Sequence, residues 1–298
     1  MTGERLKVIL GLLVISTVWG STWLVIKLGL EELPPFFGAG MRFMIAIVFL
    51  FGFIRARRLT IHWTTDAKKL YLAMGLLSFS IPFALVYWAE QYISSGLGSI
   101  LFAVYPFWVA IFSHLFLKSE PMDRYKVAGI TLGFLGITTI FWSDLDVANP
   151  RAALGMGAMV ASTILQAYML ILIKRYGQPI SPFVMNFVGM SIGGPVLLLL
   201  SYLTESWGGI TWSGKAAGSI LYLALVGSVL AFGTYYWLLK RIEAVYLSLT
   251  SLVNPIVAVV LGSVVLGEQL GISVAAGAAL VLLGILVANG KYFHEKYA

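Results

Sequence analysis

The chain lacks cysteine altogether and has few charged residues. Its 298 residues include no cysteine, three histidines and 11% charged residues, whereas 59% are hydrophobic. The absence of cysteine excludes disulfides, thiolate metal sites and a cysteine nucleophile. A soluble protein usually has about a quarter charged residues, so this chain carries too few charges to cover a water-exposed surface. The composition therefore predicts an all-α integral membrane protein.

Sequence signatures of enzymes and cofactor sites are also missing. His62, His114 and His294 are far apart in the sequence and predict no metal cluster. The sequence contains no Walker-type phosphate loop, no HExxH motif and no histidine–carboxylate cluster. We therefore predict a protein that is not an enzyme and uses neither a metal nor a cofactor. The alternative, a membrane enzyme acting on lipid-soluble substrates, would need a nucleophile and a base that we do not find.

Ten apolar segments are long enough, or nearly so, to cross a hydrocarbon core about 30 Å thick. The first segment is too long for the core of a secretory signal, so we interpret it as a membrane helix. The predicted spans are residues 7–28, 34–54, 70–89, 95–117, 125–142, 152–174, 182–203, 216–239, 244–266 and 272–289.

Basic residues alternate between the two sides of this predicted bundle. Sixteen of the twenty Lys and Arg residues fall on the side that we assign to the cytoplasm. Only Arg151 and Lys215 fall on the opposite side, and Lys27 and Arg42 lie within spans. Because cytoplasmic loops carry the excess of Lys and Arg, both termini are predicted to be cytoplasmic. This placement explains the net charge of +7, and we predict no nucleic-acid partner.

The two halves of the chain resemble each other. Residues 27–35 and 174–182 each begin with Lys and end with Pro. Residues 87–106 and 236–255 each begin with Tyr-Trp and end with Pro. Such collinear matches predict two five-helix repeats, residues 1–147 and 148–298. Because five is odd, the repeats must insert in opposite directions, an arrangement typical of transporters with a site between the repeats near the bilayer midplane.

Short motifs in both halves resemble those of the drug/metabolite transporter superfamily, in its ten-helix EamA-domain branch. The motifs are Trp19-Gly20-Ser21-Thr22, Lys27, Pro35, Arg42-Phe43, Tyr87-Trp88-Ala89, Ile93-Ser94-Ser95-Gly96, Tyr105-Pro106-Phe107, Glu120, Gly129, Gly136, Ala244, Asn254-Pro255, Gly267-Glu268 and Gly277-Ala278. The broad-specificity exporters of aromatic and other amino acids are the most similar in style. The resemblance implies a multi-pass exporter in a bacterial inner membrane. The family often has an arginine in the seventh helix that matches Arg42, whereas this chain has Gly189.

Aromatic residues within the spans predict a substrate cavity. Phe79, Phe83 and Tyr87 recur every four residues and therefore share one face of the third helix. Aromatic faces stack on planar or apolar groups, tyrosine hydroxyls orient a ligand, and polar amides meet its carboxylate or amine. The predicted substrate-binding residues are Trp19, Trp23, Phe79, Phe83, Tyr87, Tyr105, Gln166, Tyr235 (or its neighbour Tyr236) and Asn254. The alternative for each is ordinary helix packing or interhelical hydrogen bonding.

Two prolines and one charge complete the candidate residues. Pro106 and Pro255 occupy matching positions, and a proline within a helix removes a backbone hydrogen bond, so we predict two hinges. Static kinks are the alternative. Arg42 serves either a substrate charge or a structural role, through pairing with Glu90 or through snorkelling to the surface. Glu90 itself is expected to be solvated at the outer end of its helix.

The predicted function is export of amino acids, aromatic ones included, by alternating access. No Asp or Glu lies near the middle of a predicted span, so we expect facilitated movement rather than coupling to an ion gradient. The expected partners are the amino-acid substrate and membrane lipid, with no obligatory protein partner. A carrier of sugars, nucleotide sugars or drugs is the alternative, with proton coupling left open.

Overall fold

The structure, a computed structural model, describes residues 3–117, 123–144, 150–242, 244, 247, 249–269 and 271–288. These residues form helices and their connections, and no strand occurs among them. Both chain termini, the predicted repeat boundary at 147 and the predicted motif residue Glu120 lie outside the described residues. Counting a helix that continues through a π or irregular turn as one, the helices are α1 (Gly3–Leu30), α2 (Pro35–Ala56), α3 (Thr65–Ala89), α4 (Ser95–Phe116), α5 (Arg124–Asp144), α6 (Pro150–Tyr176), α7 (Pro182–Thr204), α8 (Gly214–Leu239), α9 (Val253–Leu266) and α10 (Ile272–Ala288).

The helices have the length and surface expected of a membrane protein. Seven of them, α1 to α4 and α6 to α8, are long and apolar enough to cross a bilayer. Large apolar side chains cover the outside of the bundle, and Leu13, Val48 and Leu199 are 60%, 68% and 58% exposed. Exposed apolar surface on this scale is suited to contact with lipid rather than water.

Helices begin where the sequence supplies a capping hydroxyl or a proline. The Ser94 hydroxyl accepts a hydrogen bond from an amide in the first turn of α4, and the Ser213 hydroxyl does the same for α8. Helices α2, α6 and α7 begin at a proline, whose missing N–H costs nothing there. Each predicted span overlaps one of these helices. The predicted and observed start positions differ most for the span predicted at residues 244–266. Its helix, α9, begins at Val253, after the 3-10 segment Leu249–Leu252.

Helices α3 and α8 contain π-helical segments at corresponding places, Gly75–Ser80 and Leu225–Leu230. A π turn inserts one extra residue and disturbs the regular i to i−4 hydrogen bonding. In α3 the Ser80 hydroxyl donates to the carbonyl of the fifth residue before it at 2.7 Å, and Ser228 does the same in α8 at 2.8 Å. The two helices therefore stabilise their irregular turns in the same way.

The two predicted hinge prolines follow interruptions of the helix. Pro106 is preceded by a turn at Ala103 and Val104, which divides α4 into two helical pieces. Pro255 lies in the first turn of α9, directly after the 3-10 segment Leu249–Leu252. In both places the proline ring excludes a regular hydrogen bond to the carbonyl four residues earlier. Their function as hinges stays a prediction.

Glycines allow α5 and α10 to approach closely. A Cβ atom placed on Gly136 would lie 2.6 Å from the carbonyl oxygen of Gly277, and one on Gly277 would lie 2.7 Å from that of Gly136. Small residues at such positions let helix backbones touch, which is a common mode of association in membranes. Gly284 approaches Gly129 in the same way, since a Cβ atom on Gly284 would lie 2.5 Å from the carbonyl oxygen of Gly129.

Two lysines join helix ends in equivalent ways. Lys27 donates to two carbonyls at the end of α3, at 2.5 and 2.8 Å, and Lys174 donates to two carbonyls at the end of α8, at 2.9 and 2.8 Å. Carbonyls at a helix C-terminus lack intrahelical partners, so a lysine there is stabilising. The acceptors are Glu90 and Ile93 for Lys27, and Leu239 and Ile242 for Lys174.

Glutamates gather at the end of the bundle that holds the Lys27 contacts. Glu205 accepts from the first amides of α2 at 2.7 and 3.0 Å, and Glu268 accepts from those of α4 at 2.8 and 3.2 Å. Glu32 accepts from the first turn of α8 at 3.2 Å. A carboxylate suits a helix N-terminus, where free amides and the helix dipole favour negative charge. We call this end, where Glu90 also lies, the acidic end.

Candidate functional site

A cavity lies between the helices in the middle of the bundle. Its empty space amounts to about 890 Å³ including the opening. Helices α1, α2, α3, α4, α6 and α8 contribute to it, together with the start of α9 and the segment that leads into it. The lining residues are Trp19, Thr22, Trp23, Ile26, Arg42, Ser78, Phe83, Val86, Phe102, Tyr105, Gln166, Leu170, Ile173, Phe232, Tyr235, Tyr236, Thr250, Ser251 and Asn254.

Aromatic rings from α1 and α8 form one wall of the cavity. The Trp19 ring lies 5.2 Å from that of Phe232 and 4.9 Å from that of Tyr235, between ring centroids. The Trp19 indole N–H donates to the carbonyl of Gly227 at 3.3 Å, inside the π segment of α8. These contacts hold the indole in place at the cavity surface. Fixed aromatic faces of this kind can stack on a planar side chain.

Two tyrosines link α4 to α8 across the cavity. The hydroxyls of Tyr105 and Tyr235 are 2.9 Å apart and form a hydrogen bond in which either can donate. Tyr105 also stacks on Phe102, with ring planes inclined by 17° and centroids 5.8 Å apart. Each phenol can both donate and accept, so the pair can exchange its mutual bond for one to a ligand.

Arg42 brings a single positive charge to this apolar site. Its side chain is only 2% exposed, and it donates to the Ser228 hydroxyl at 2.7 Å and to the Gly227 carbonyl at 3.2 Å. The guanidinium lies 4.9 Å from the centroid of the Phe83 ring, a cation–π distance. Within the described part of the chain no carboxylate forms an ion pair with it. The alternatives of pairing with Glu90 and of snorkelling to the surface are therefore wrong for this structure.

Comparison with known proteins identifies the family. The profile of the EamA-like transporter family matches the chain twice, over residues 6–142 and 153–290. The chain belongs to this family. The predicted membership of the EamA-like family is thus confirmed, whereas the resemblance to amino-acid exporters stays a prediction. This EamA-like protein is a multi-pass membrane transporter.

Relatives of this EamA-like transporter carry the same general description. "Uncharacterized transporter YoaV" of Bacillus subtilis is 28% identical over 97% of this chain and 99% of its own. "Uncharacterized inner membrane transporter YedA" of Escherichia coli is 30% identical over 92% and 88%. The fold is also similar to that of a protein of known crystal structure, with a TM-score of 0.71, 19% identity and coverage of 95% and 96%.

The charge of Arg42 has no counterpart in the second half of this EamA-like transporter. The matching residue, Gly189 of α7, packs against α3, and a Cβ atom there would lie 2.8 Å from the Phe79 ring. An arginine cannot occupy that space without displacing the ring. The contact between α2 and α8 therefore differs from the matching contact between α7 and α3. Arg42 of α2 donates hydrogen bonds to the π segment of α8, whereas Gly189 of α7 packs directly against the Phe79 ring of α3.

The structure brings most of the predicted binding residues of the transporter together, but not all. Those that line the cavity are Trp19, Trp23, Phe83, Tyr105, Gln166, Tyr235 and Asn254. Phe79 is fully buried behind the cavity, where its ring contacts Phe43 and Phe232 at 5.3 Å. Tyr87 is also buried and lies beyond the cavity towards the acidic end, where it borders a smaller pocket.

Asn254 combines a place in the cavity wall with a structural bond. With its amide nitrogen oriented towards the available acceptors, it donates to the carbonyls of Thr250 at 3.2 Å and Ser16 at 3.0 Å. It therefore ties the interrupted start of α9 to α1. Gln166 of α6 is half-buried in the wall, and no hydrogen bond of its amide is resolved among the described residues.

Several lining residues of the transporter were not predicted from the sequence. Phe232 precedes Tyr236 by four residues, so the helical repeat used for α3 would have found it. Thr22 and Ile26 follow Trp19 by three and seven residues and share its face for the same reason. Ser78, by contrast, lies in a π segment, where regular helical spacing gives no guide.

Proposed function

We propose that this EamA-like transporter exports amino acids, aromatic ones preferentially, across a bacterial inner membrane. The observation that carries the proposal is a buried arginine without a carboxylate partner among the described residues, set among aromatic rings in the cavity between the helices. A ligand carboxylate would neutralise the guanidinium and restore the electrostatic balance that burial disturbs. An aromatic side chain would complete the contacts of the rings.

In the proposed complex each part of the amino acid has a partner. Arg42 binds the carboxylate, since its planar guanidinium offers several donors in a fork. Trp19, Phe232 and Phe83 contact the side chain, and Gln166 accepts from the ammonium group. A nucleotide sugar would call for several cations to hold its phosphates, and Arg42 supplies one cavity cation. This favours amino acids over the alternative cargoes.

We further propose that ten helices span the membrane as two inverted five-helix repeats, residues 1–147 and 148–298. Both termini then face the cytoplasm, and the acidic end faces outwards. The equivalent contacts of Lys27 and Lys174 at opposite ends support the inversion. Movement is facilitative in this proposal, with bending before Pro106 and Pro255 opening each end in turn.

The topology is tested with single cysteines in this cysteine-free chain. Thr60 is exposed and follows the C-terminal end of α2, and Glu31 is exposed and follows the C-terminal end of α1. In the proposed topology these two helix ends lie on opposite sides of the membrane. In intact cells an impermeant thiol reagent should label Glu31→Cys and should reach Thr60→Cys only after permeabilisation. Labelling of both variants in intact cells contradicts the inverted arrangement.

The transport function is tested by counterflow in proteoliposomes without a proton gradient. Vesicles loaded with unlabelled phenylalanine should accumulate labelled phenylalanine transiently, and tryptophan, tyrosine and leucine should compete. A cavity that relies on apolar contact discriminates poorly between similar side chains, so competition by several amino acids is expected. Absence of counterflow for every amino acid, with folded protein present, rejects the substrate class. Counterflow only under a proton gradient rejects facilitated movement.

A further inference from the structure

Glu90 is a buried carboxyl group with no bonding partner. It follows the last residue of α3, its side chain is fully buried, and both of its oxygens lack a hydrogen bond. No ion pair involves it in the portion of the chain that the structure describes. The expectation that Glu90 is solvated at the end of its helix is therefore wrong. A charged carboxylate without donors is strongly disfavoured in such a place, whereas a neutral carboxylic acid is tolerated.

The other glutamates of the acidic end, unlike Glu90, accept hydrogen bonds from backbone amides. Glu205 and Glu268 each accept at least two backbone hydrogen bonds at a helix start, and Glu32 accepts from the first turn of α8. These groups have the donors that an ionised carboxylate requires. Glu90 lies among them without any.

The fold does not require an acid at this position. Lys27 binds the backbone carbonyl of Glu90, not its side chain. In the second half, Lys174 makes the same contact to the backbone carbonyl of Leu239, which occupies the position matching Glu90 in the sequence. An apolar residue therefore suffices to form this junction. The carboxyl group of Glu90 is extra, and it occurs at the acidic end only.

Several charged or titratable groups from different helices act on Glu90. Burial raises the pKa of the Glu90 carboxyl well above its ordinary value, the positive charge of Lys27 opposes this shift, Glu268 adds to it and Arg42 opposes it. Tyr87, one helical turn earlier on α3, interacts electrostatically with both Glu90 and Arg42. On the α6 side, Arg151 lies over the neighbouring Tyr92 ring at 5.8 Å.

We propose that Glu90 is a proton-binding site of the transport cycle, which must be occupied for the acidic end to close. When the helices separate there, water reaches the carboxyl group, its proton leaves to that side, and the carboxylate is solvated. When they close again, one proton from the same side returns to a Glu90 oxygen. The proton enters and leaves at one end, so the pH at the acidic end controls closure without any need for a gradient. The site rests on the proposed function only for the assignment of the acidic end as the outer one.

The sign of the pH dependence follows from the raised pKa. In the open form Glu90 is hydrated and titrates near its ordinary value, whereas in the closed form it keeps its proton to higher pH. The closed form is therefore favoured fully below the ordinary value and loses this advantage as pH rises towards the raised one. Higher pH opens the acidic end.

The experiment follows opening without using any substrate. Ile93→Cys places a thiol at a buried position beside Glu90, and purified protein in lipid nanodiscs exposes both ends to the same pH. Its labelling rate is divided by that of Thr211→Cys, an exposed position, which removes the intrinsic pH dependence of thiols. We expect the ratio to rise by about tenfold per pH unit where one proton is exchanged per closure. Leu33→Cys, also buried at this end, serves as a second reporter.

The decisive variants change Glu90 itself. Glu90→Gln mimics the protonated acid and Glu90→Leu copies the matching residue of the second half, so both should give a low ratio at every pH. The matched control Glu205→Gln alters a partnered carboxyl and should keep the wild-type dependence. A pH-dependent ratio that persists in Glu90→Gln and Glu90→Leu, or a flat ratio in the wild type, overturns the proposal. Because no amino acid is used, a failure of the proposed substrate class leaves this outcome unaffected.

Discussion

Replacing Arg42 by glutamine separates recognition of the substrate carboxylate from recognition of its side chain. The variant removes the charge from the cavity but leaves the neighbouring bonds in place. Ser228 still donates within α8 at 2.8 Å, and the Gly227 carbonyl still accepts from Trp19 at 3.3 Å. The π segment therefore keeps its own stabilisation, and we expect the fold to survive.

The size of the effect follows from the kind of bond that is lost. A hydrogen bond to a charged group contributes about 1.5–3 kcal/mol, so phenylalanine affinity should fall by about ten- to a hundredfold. Phenylethylamine, which has the same ring and amine but no carboxylate, should bind about equally well to wild type and variant. Arg42→Lys keeps the charge but loses the fork of donors, and an intermediate affinity for phenylalanine is expected.

The measurement is equilibrium binding of labelled phenylalanine to purified transporter, with phenylethylamine as competitor. The ratio of the two affinities reports on the carboxylate alone, because any general damage to the cavity lowers both. An equal loss of both affinities in Arg42→Gln would refute the assigned role and return Arg42 to a structural one.

Three further predictions concern the cavity, the interrupted helices and the glycine contact. Tyr105→Ala should slow phenylalanine counterflow by about tenfold and threonine counterflow less, because burial of an aromatic side chain is worth about 1.5–3 kcal/mol; equal slowing contradicts the aromatic cavity. Pro106→Ala and Pro255→Ala should insert normally yet reduce initial flux. The control Pro195→Ala, inside the unbroken helix α7, should leave the flux unchanged. Unchanged flux in the first two variants would show that Pro106 and Pro255 form static kinks. Gly136→Leu should lower the thermal stability of the purified protein, at a cost of about 1–3 kcal/mol for overpacking, and an unchanged melting temperature would show that α5 and α10 separate easily.

The helices were predictable because a segment that spans a bilayer needs a long run of apolar residues, which is easily recognised in the sequence. Long apolar runs, prolines at helix starts and capping serines such as Ser94 and Ser213 locate most helices directly. The start of α9 was harder, since residues before Val253 are apolar yet form a 3-10 turn ahead of Pro255. Hydropathy reports the burial of a residue and says nothing of its hydrogen-bonding pattern.

The candidate site was less predictable than the fold. Helical spacing placed Phe79, Phe83 and Tyr87 on one face of α3. A helix face is longer than the cavity, so residues of the same face also lie above and below it. Phe83 alone of the three lines it, because Gly189 of α7 leaves room for Phe79 to pack away from it. The burial of Glu90 depends on how helix ends from distant parts of the chain meet, and local sequence carries no record of that.

Arg42 and Gly189 occupy matching positions in the two halves, and only the first is charged, so the polar lining of the cavity is asymmetric. If both halves carried the arginine, a bound zwitterion could lie in either of two reversed poses. Arg42 is the cation of the cavity lining, whereas Gly189 packs against Phe79 outside that lining, so the proposed zwitterion has one guanidinium for its carboxylate and is expected to bind in one pose. A molecule held by its carboxylate, its amine and its ring in one pose is held by three points. We therefore expect the carrier to distinguish mirror-image amino acids, although the profile of one family matches both halves of its chain.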